Sequence, residues 1–240
     1  MRLLYILKQR LRLVRLMFSH RHIVKTILGV RRRHLTYLRI EDLCDLVELV
    51  LRYERQKTPG IMIEAGCATG GSAITLASAK NPERAFFVYD VFGMIPPPSS
   101  KDGDDVHGRY QNILTGQSKG IGNTDYYGYE PDLYNKVKHH FADFSYPVGE
   151  HNIHLVKGLY ADTLTIDQPV VLAHIDCDWY ESVMTCLKEI EPNLVPGGTF
   201  VIDDYDTWSG CKSAVDDYFA DKRAEYTFSK HGRLHIVKNS

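Results

Sequence analysis

The sequence predicts an α/β domain, a mostly parallel seven-stranded sheet with helices on both faces. Three observations predict it. From residue 40 onward, short apolar runs alternate with helix-like stretches, and such alternation builds a parallel sheet between helical layers. Several of those runs end in an acid, at Glu64, Asp90, Asp176 and Asp203. The first acid leads into a small-residue turn, Ala65-Gly66-Cys67-Ala68-Thr69-Gly70-Gly71-Ser72. Strand, glycine turn and helix in that order place a nucleotide at the carboxyl end of a parallel strand.

The chain has 240 residues and the apolar and charged content of a soluble globular protein, enough for one large domain or one domain with an extension. Its 29 Lys and Arg nearly balance 30 Asp and Glu, but residues 1–40 hold 11 of the basic residues and no acid. An acidic body carries a basic arm. The expected division is a basic amphipathic helical arm at 1–34 and a folded domain at 35–240. In the arm, Leu3, Leu7, Leu11, Val14 and Phe18 share a stripe, with Lys8, Arg12 and Arg15 opposite. Such a helix suits a lid, a contact within a homo-oligomer, or peripheral contact with an anionic membrane. No binding module follows it, so nucleic acid is not expected. The five cysteines are scattered and form no Cys-x-x-Cys. They read as reduced core thiols of a cytoplasmic protein, membrane-associated if the arm docks there. No run is long enough to span a bilayer.

The elements follow in order. Residues 40–53 repeat Leu43, Val47 and Val50 at helical spacing, and Pro59-Gly60 closes the approach to the first strand, 61–64. Residues 71–80 read as the helix after the glycine turn, and 85–90 as the second strand. Asp90 lies about 20 residues past the turn, where a carboxylate accepts hydrogen bonds from an adenosine ribose. Residues 92–129 hold Pro96-Pro97-Pro98, several acids and many glycines and serines, and read as a long polar lid or binding loop. A helix is expected at 131–144, strands at 153–157 and 170–176, and a helix at 182–190. A strand at 199–202, a helix at 210–219 and a hairpin of 226–228 with 234–237 complete the sheet.

Asp176, Asp203 and Asp204 stand at the ends of two neighbouring strands, and all such ends face one crevice. Carboxylates converging there repel one another unless a cation sits among them. An oxygen-only set favours Mg²⁺ over zinc. If the strand continues, Asp178 points the other way and supports the site. The competing reading is that Asp203 or Asp204 caps the following helix.

Two resemblances sharpen this reading. The glycine turn resembles motif I of class I S-adenosylmethionine-dependent methyltransferases, which have a Rossmann-like fold. That makes Glu64, Ala65, Gly66, Gly70, Ser72 and Asp90 the expected cofactor contacts. The run His174-Ile175-Asp176-Cys177-Asp178-Trp179-Tyr180-Glu181-Ser182 resembles the macrocin O-methyltransferase family, as does Pro196-Gly197-Gly198-Thr199-Phe200-Val201-Ile202-Asp203-Asp204-Tyr205. Lys157-Gly158-Leu159-Tyr160-Ala161-Asp162-Thr163 also matches, which adds Asp162 to the cofactor contacts. The resemblance implies S-adenosylmethionine, a divalent metal at Asp176, Asp203 and Asp204, and methyl transfer to a hydroxyl of a sugar or glycosylated natural product. A metal-dependent methyltransferase of a catechol-like phenol, and a non-catalytic scaffold docking through its arm, are the alternatives. Asp176 could also take the acceptor's proton, with His107, His139 and His140 as other candidate bases. The chain departs from the family at Ala68-Thr69, where the family usually carries Trp-Arg, and at residues 1–34, which have no counterpart in it.

Overall fold

The computed structural model describes residues 12–239. Residues 12–19 are helical (α1), followed by α2 (Arg21–Arg32), α3 (Ile40–Gln56), β1 (Ile61–Ala65), α4 (Gly71–Ala79) and β2 (Phe86–Asp90). Next come α5 (Asp104–Leu114), α6 (Leu133–Asp143), β3 (Ile153–Lys157), the short α7 (Tyr160–Thr163) and β4 (Val170–Ile175). The chain closes with α8 (Tyr180–Ile190), β5 (Leu194–Ile202), α9 (Ser209–Tyr218), β6 (Tyr226–His231) and β7 (Arg233–Lys238). The seven strands run β3-β2-β1-β4-β5-β7-β6. The first five in that order are mutually parallel, and β7 is antiparallel to both of its neighbours. The order reverses between β1 and β4, so the crevice beyond their carboxyl ends is the topological switch point.

Two apolar layers cover the sheet. One joins β1, β2 and β4 side chains to α2, α3, α4 and α6. The other joins the opposite face to α8, α9 and the closing hairpin. The composition of α4 explains the first layer. Gly-Ser-Ala-Ile-Thr-Leu-Ala-Ser-Ala has no polar face, and all nine residues are buried. A helix apolar all round needs cover on every side. Helices α2 and α3 supply it, both packing on α4.

That packing extends to the basic segment. The described part of the basic segment belongs to the body of the domain. Leu16, Ile23, Val24, Ile27 and Val30 are core residues, and Arg31 Nη1 donates to the carbonyls of Thr36 (2.9 Å) and Leu38 (2.8 Å). The expected stripe is also revised. Leu3, Leu7 and Leu11 lie outside the described residues, while Val14 and Phe18 are exposed. In α1 it is Leu16, with the partly buried Leu13, that meets the core.

Residues 92–129 are not the loop expected from composition. They contain α5, whose apolar anchors Val106 and Ile113 are buried. Asp102 accepts from the Tyr180 backbone N–H (2.8 Å), Asp105 from that of Ser209 (2.9 Å), and Trp179 Nε1 donates to the Pro96 carbonyl (3.0 Å). These side chains tie the segment to the α8 and α9 entrances. All five cysteines are buried and free. No helix among the described residues is long and apolar enough to cross a membrane.

Ile27 is fully buried between α2 and the layer beneath it. We expect Ile27→Ala to lower the unfolding free energy by roughly 2–4 kcal/mol, read from urea denaturation. An independent arm would leave the midpoint unchanged.

Candidate active site

Two adjoining clefts open at the switch point. The first, about 200 Å³, is lined by Gly66, Asp90, Pro96, Tyr160, Asp176 and Trp179 among others. The second, about 300 Å³, is lined by Tyr37, Arg109, Tyr126, Trp208, Asp203 and Asp204 among others. Gly66, Asp90, Tyr127, Asp176 and Asp178 line both. A molecule in one cleft therefore meets a molecule in the other beside these residues.

The glycine turn is built around contacts within the protein. Gly66 has φ +90°, and a Cβ there would lie 2.0 Å from the Asp176 carbonyl oxygen. Glycine is needed because the turn after β1 packs against the turn after β4. Gly70 caps α4 from the left-handed region. The Leu35 carbonyl accepts from Gly71 N–H (2.9 Å) and Thr69 Oγ1 (2.9 Å), so the segment after α2 sits on the turn. Asp90 braces it from the other side. Its Oδ2 accepts from the N–H groups of Cys67 (2.8 Å) and Ala68 (3.2 Å), and its Oδ1 from that of Phe92 (2.7 Å). Burial raises the Asp90 pKa, against those three donors.

The acids gather more closely than their strand positions predict. β4 ends at Ile175, and Asp178 adopts φ 60°. That left-handed residue returns its carboxylate to the crevice, which corrects the expectation that Asp178 points away. Asp176, Asp178 and Asp204 bring one oxygen each within 4.8 Å of one another, and Asp176 forms a second such group with Asp203 and His174. Burial, then the neighbouring carboxylates, push the Asp176 and Asp178 pKa values well up. Burial also leads the upward shift of Asp204.

A buried polar chain runs behind these acids. Ser72 donates to Glu64 Oε1. His174, Glu64's partner across the β1–β4 pairing, has Nδ1 3.5 Å from Glu64 Oε2 and Nε2 3.6 Å from Asp203 Oδ1. Arg233 Nε lies 2.9 Å from the same Asp203 oxygen. Burial opposes charge on His174, but Asp203 and Glu64 outweigh it and raise its pKa from 6.5 to about 9. The chain therefore alternates acid, cation, acid, cation.

Several expected site residues are placed elsewhere. Glu64 and Ser72 are buried and face each other and His174; neither lines a cleft, nor does Ala65. Gly70 caps α4 behind the turn, outside both linings. Asp162 is exposed on α7, and its neighbours Leu159, Tyr160 and Ala161 line the first cleft instead. His107 and His139 are exposed, and His140 Nδ1 meets the Thr69 carbonyl at 2.9 Å. No histidine lines either cleft. The aromatic wall of Tyr37, Tyr126, Tyr127 and Trp208 was missed, and so was Arg109. Its available signal is the polar-aromatic run Asp125-Tyr126-Tyr127-Gly128-Tyr129 inside the long segment.

Residues 33–230 match the family model described as Macrocin-O-methyltransferase (TylF). The chain belongs to the macrocin O-methyltransferase family. Members of this family are S-adenosylmethionine-dependent O-methyltransferases, and the chain is an enzyme of that type. Among its relatives is the 8-demethyl-8-(2,3-dimethoxy-alpha-L-rhamnosyl)-tetracenomycin-C 4'-O-methyltransferase of Streptomyces olivaceus, 28% identical over 82% of this chain and 68% of that protein. Another is the demethyldecarbamoylnovobiocin O-methyltransferase of Streptomyces niveus, 26% identical over 81% and 68%. Among solved structures, the O-methyltransferase NovP superposes with a TM-score of 0.70 at 21% identity, covering 86% of this chain and 82% of that one. The calicheamicin methyltransferase CalS11 gives 0.60 at 17%, over 96% and 91%. These superpositions share the class I methyltransferase fold with this family member. Relative to the expectation from sequence, the sheet is mixed only at its β7–β6 edge.

The raised His174 pKa carries a pH signature. A pKa raised on folding stabilises the protein fully below the unfolded value, near 6.5, and that contribution is lost as pH rises through about 9. A shift of this size corresponds to roughly 3 kcal/mol. We expect wild-type stability to fall between those limits in denaturant titrations, and His174→Gln to lack that slope. Equal slopes would show that His174 is neutral in the fold.

Proposed function

We propose that this family member methylates a hydroxyl of a sugar, free or glycosidically linked, with a divalent cation held at the acid edge. The observation that carries this reading is the junction of the two clefts at Gly66, Asp90, Tyr127, Asp176 and Asp178. The first cleft suits the cofactor. It lies against the glycine turn, and Asp90 retains lone pairs that can accept from ribose hydroxyls. The second suits the acceptor. Tyr37, Tyr126, Tyr127 and Trp208 offer aromatic faces to a sugar ring, and the acids offer acceptors to its hydroxyls. The relatives' names point the same way, one acting on a rhamnosyl group at its 4' oxygen.

The acid edge fits a cation by the chemistry of its donors. Its carboxylates are crowded and buried, and the pKa values of Asp176 and Asp204 are pushed up; the one imidazole grouped with them, His174, has its pKa raised to about 9, which disfavours ligation. His174 belongs to Asp203 and Glu64. We assign the cation to Asp176, with Asp204 from one acid group and the remaining oxygen of Asp203 from the other, Asp203 Oδ1 being paired with Arg233. Asp176 is common to both acid groups. When bound, S-adenosylmethionine supplies an electrophilic methyl group, and a divalent cation supplies positive charge beside the acceptor oxygen.

The chain's own residues do the rest. The braced turn and Asp90 fix the cofactor's position. The aromatic wall and the acids orient the acceptor, so the attacking oxygen meets the methyl group at the junction. Asp178 receives the acceptor's proton. It lines both clefts, whereas Asp203 and Asp204 line only the acceptor side. Burial first, then Asp204, raises its pKa, which makes it a stronger base than an exposed carboxylate. S-adenosylmethionine held there would supply the methyl group to that oxygen and would leave as S-adenosylhomocysteine.

The same acid edge serves a catechol-like phenol equally well on charge. Acceptor class therefore needs a direct assay, comparing glycosides bearing neighbouring hydroxyls with catechols. A strong preference for catechols overturns the sugar reading while leaving the acid assignments intact.

For the acids, we expect Asp178→Asn to lower kcat on the order of 10²–10⁴-fold, with S-adenosylhomocysteine and Mg²⁺ binding retained in calorimetry. Asp204→Asn weakens Mg²⁺ binding and turnover together. Undiminished turnover in excess chelator would remove the cation. Mg²⁺ binding lost equally in Asp178→Asn would make Asp178 a ligand and not the base.

A further inference from the structure

The outward face of α1 and α2 has a composition that the catalytic site does not use. On α1, Phe18 is 86% exposed, with Val14 and Met17 also exposed. On α2, the residues turned from the core fall on one stripe, Arg21, Lys25, Leu28 and Arg32. No acid is paired with Arg21, Lys25 or Arg32 among the described residues. The opposite face of α2 is held by Ile23, Val24, Ile27 and Val30 in the core. The stripe is therefore presented by a rigid part of the domain.

We propose that this face docks on an anionic membrane surface. Interfacial helices place apolar side chains at the headgroup–acyl boundary and basic ones among lipid phosphates. Phe18, Met17 and Val14 supply the first, and Arg21, Lys25 and Arg32 the second. The charge argument also selects between occupants. Residues 1–40 contain no acid, so a two-fold contact of this face with its own copy opposes cation to cation, without a compensating carboxylate. An anionic bilayer is complementary throughout. None of these residues lines either cleft.

The test uses the full chain and vesicles of phosphatidylcholine alone or mixed with phosphatidylglycerol. We expect co-sedimentation with the mixed vesicles only, weakened by added salt. The variant Arg21→Gln/Lys25→Gln/Arg32→Gln should partition on the order of 100-fold less, at about fivefold per cation. Phe18→Ser should partition about tenfold less or weaker still, by loss of a buried aromatic side chain. Both variants should retain the wild-type melting temperature and S-adenosylhomocysteine affinity. Binding to phosphatidylcholine as tight as to mixed vesicles, or variants that partition like wild type, overturns the proposal. A concentration-dependent dimer abolished by Phe18→Ser, with no vesicle binding, assigns the face to a second copy and also overturns it.

Discussion

The structure depends on a buried row of alternating charges, Glu64, His174, Asp203 and Arg233, that crosses β1, β4, β5 and β7. Each member is costly in a protein interior by itself. Together they lie within ion-pair distance of one another, although His174 makes no hydrogen bond to either acid, and both ends reach neighbouring elements. Ser72, at the start of α4 behind the glycine turn, bonds Glu64. Asp203 lies beside the acid edge, where Arg233 also donates to its backbone carbonyl at 3.0 Å. The row thereby ties the cofactor turn, the acids and the antiparallel edge strand to a single register. Slipping β4 by one residue would turn His174 to the other face of the sheet and leave Glu64 without a cation, while Asp203 kept Arg233.

This row also explains why so many acids gather at one sheet edge without unfolding the protein. His174 and Arg233 face Asp203 from behind, yet Asp203 is still the first of the neighbouring carboxylates that raise the Asp176 pKa. Asp176, Asp178 and Asp204 carry the remaining repulsion, visible in their raised pKa values. Asp203 thus faces the sheet's cations on one side and Asp176 on the other, while Asp176, Asp178 and Asp204 crowd one another.

Much of the architecture was legible because local patterns and global packing agree. Apolar runs ending at Glu64, Asp90, Asp176 and Asp203 mark the strand ends, and those ends define the crevice. The glycine turn was legible in place but not in cause, since Gly66 answers first to the Asp176 carbonyl. Two failures share a physical origin. Asp178 departs from strand alternation because β4 ends at Ile175 and Asp178 itself is left-handed. Helix α5 was hidden because Gly108 and the surrounding polar residues weaken its periodicity, and only Val106 and Ile113 are buried. The role of α2 was legible in principle from its neighbour. A helix as uniformly apolar as α4 requires cover, and that requirement appears only when two elements are considered together.

The contact between Gly66 and the Asp176 carbonyl has an engineering consequence. The two turns share one van der Waals boundary, with no room for a Cβ between them. Remodelling the turn after β4 to admit a bulkier acceptor would shift that carbonyl and press on the cofactor turn. On the proposed reading, alternative acceptors are best sought by reshaping the aromatic wall of the second cleft, at Tyr37, Tyr126 and Trp208. These side chains come from three separate segments, so that wall can be redrawn piece by piece while the two turns stay locked.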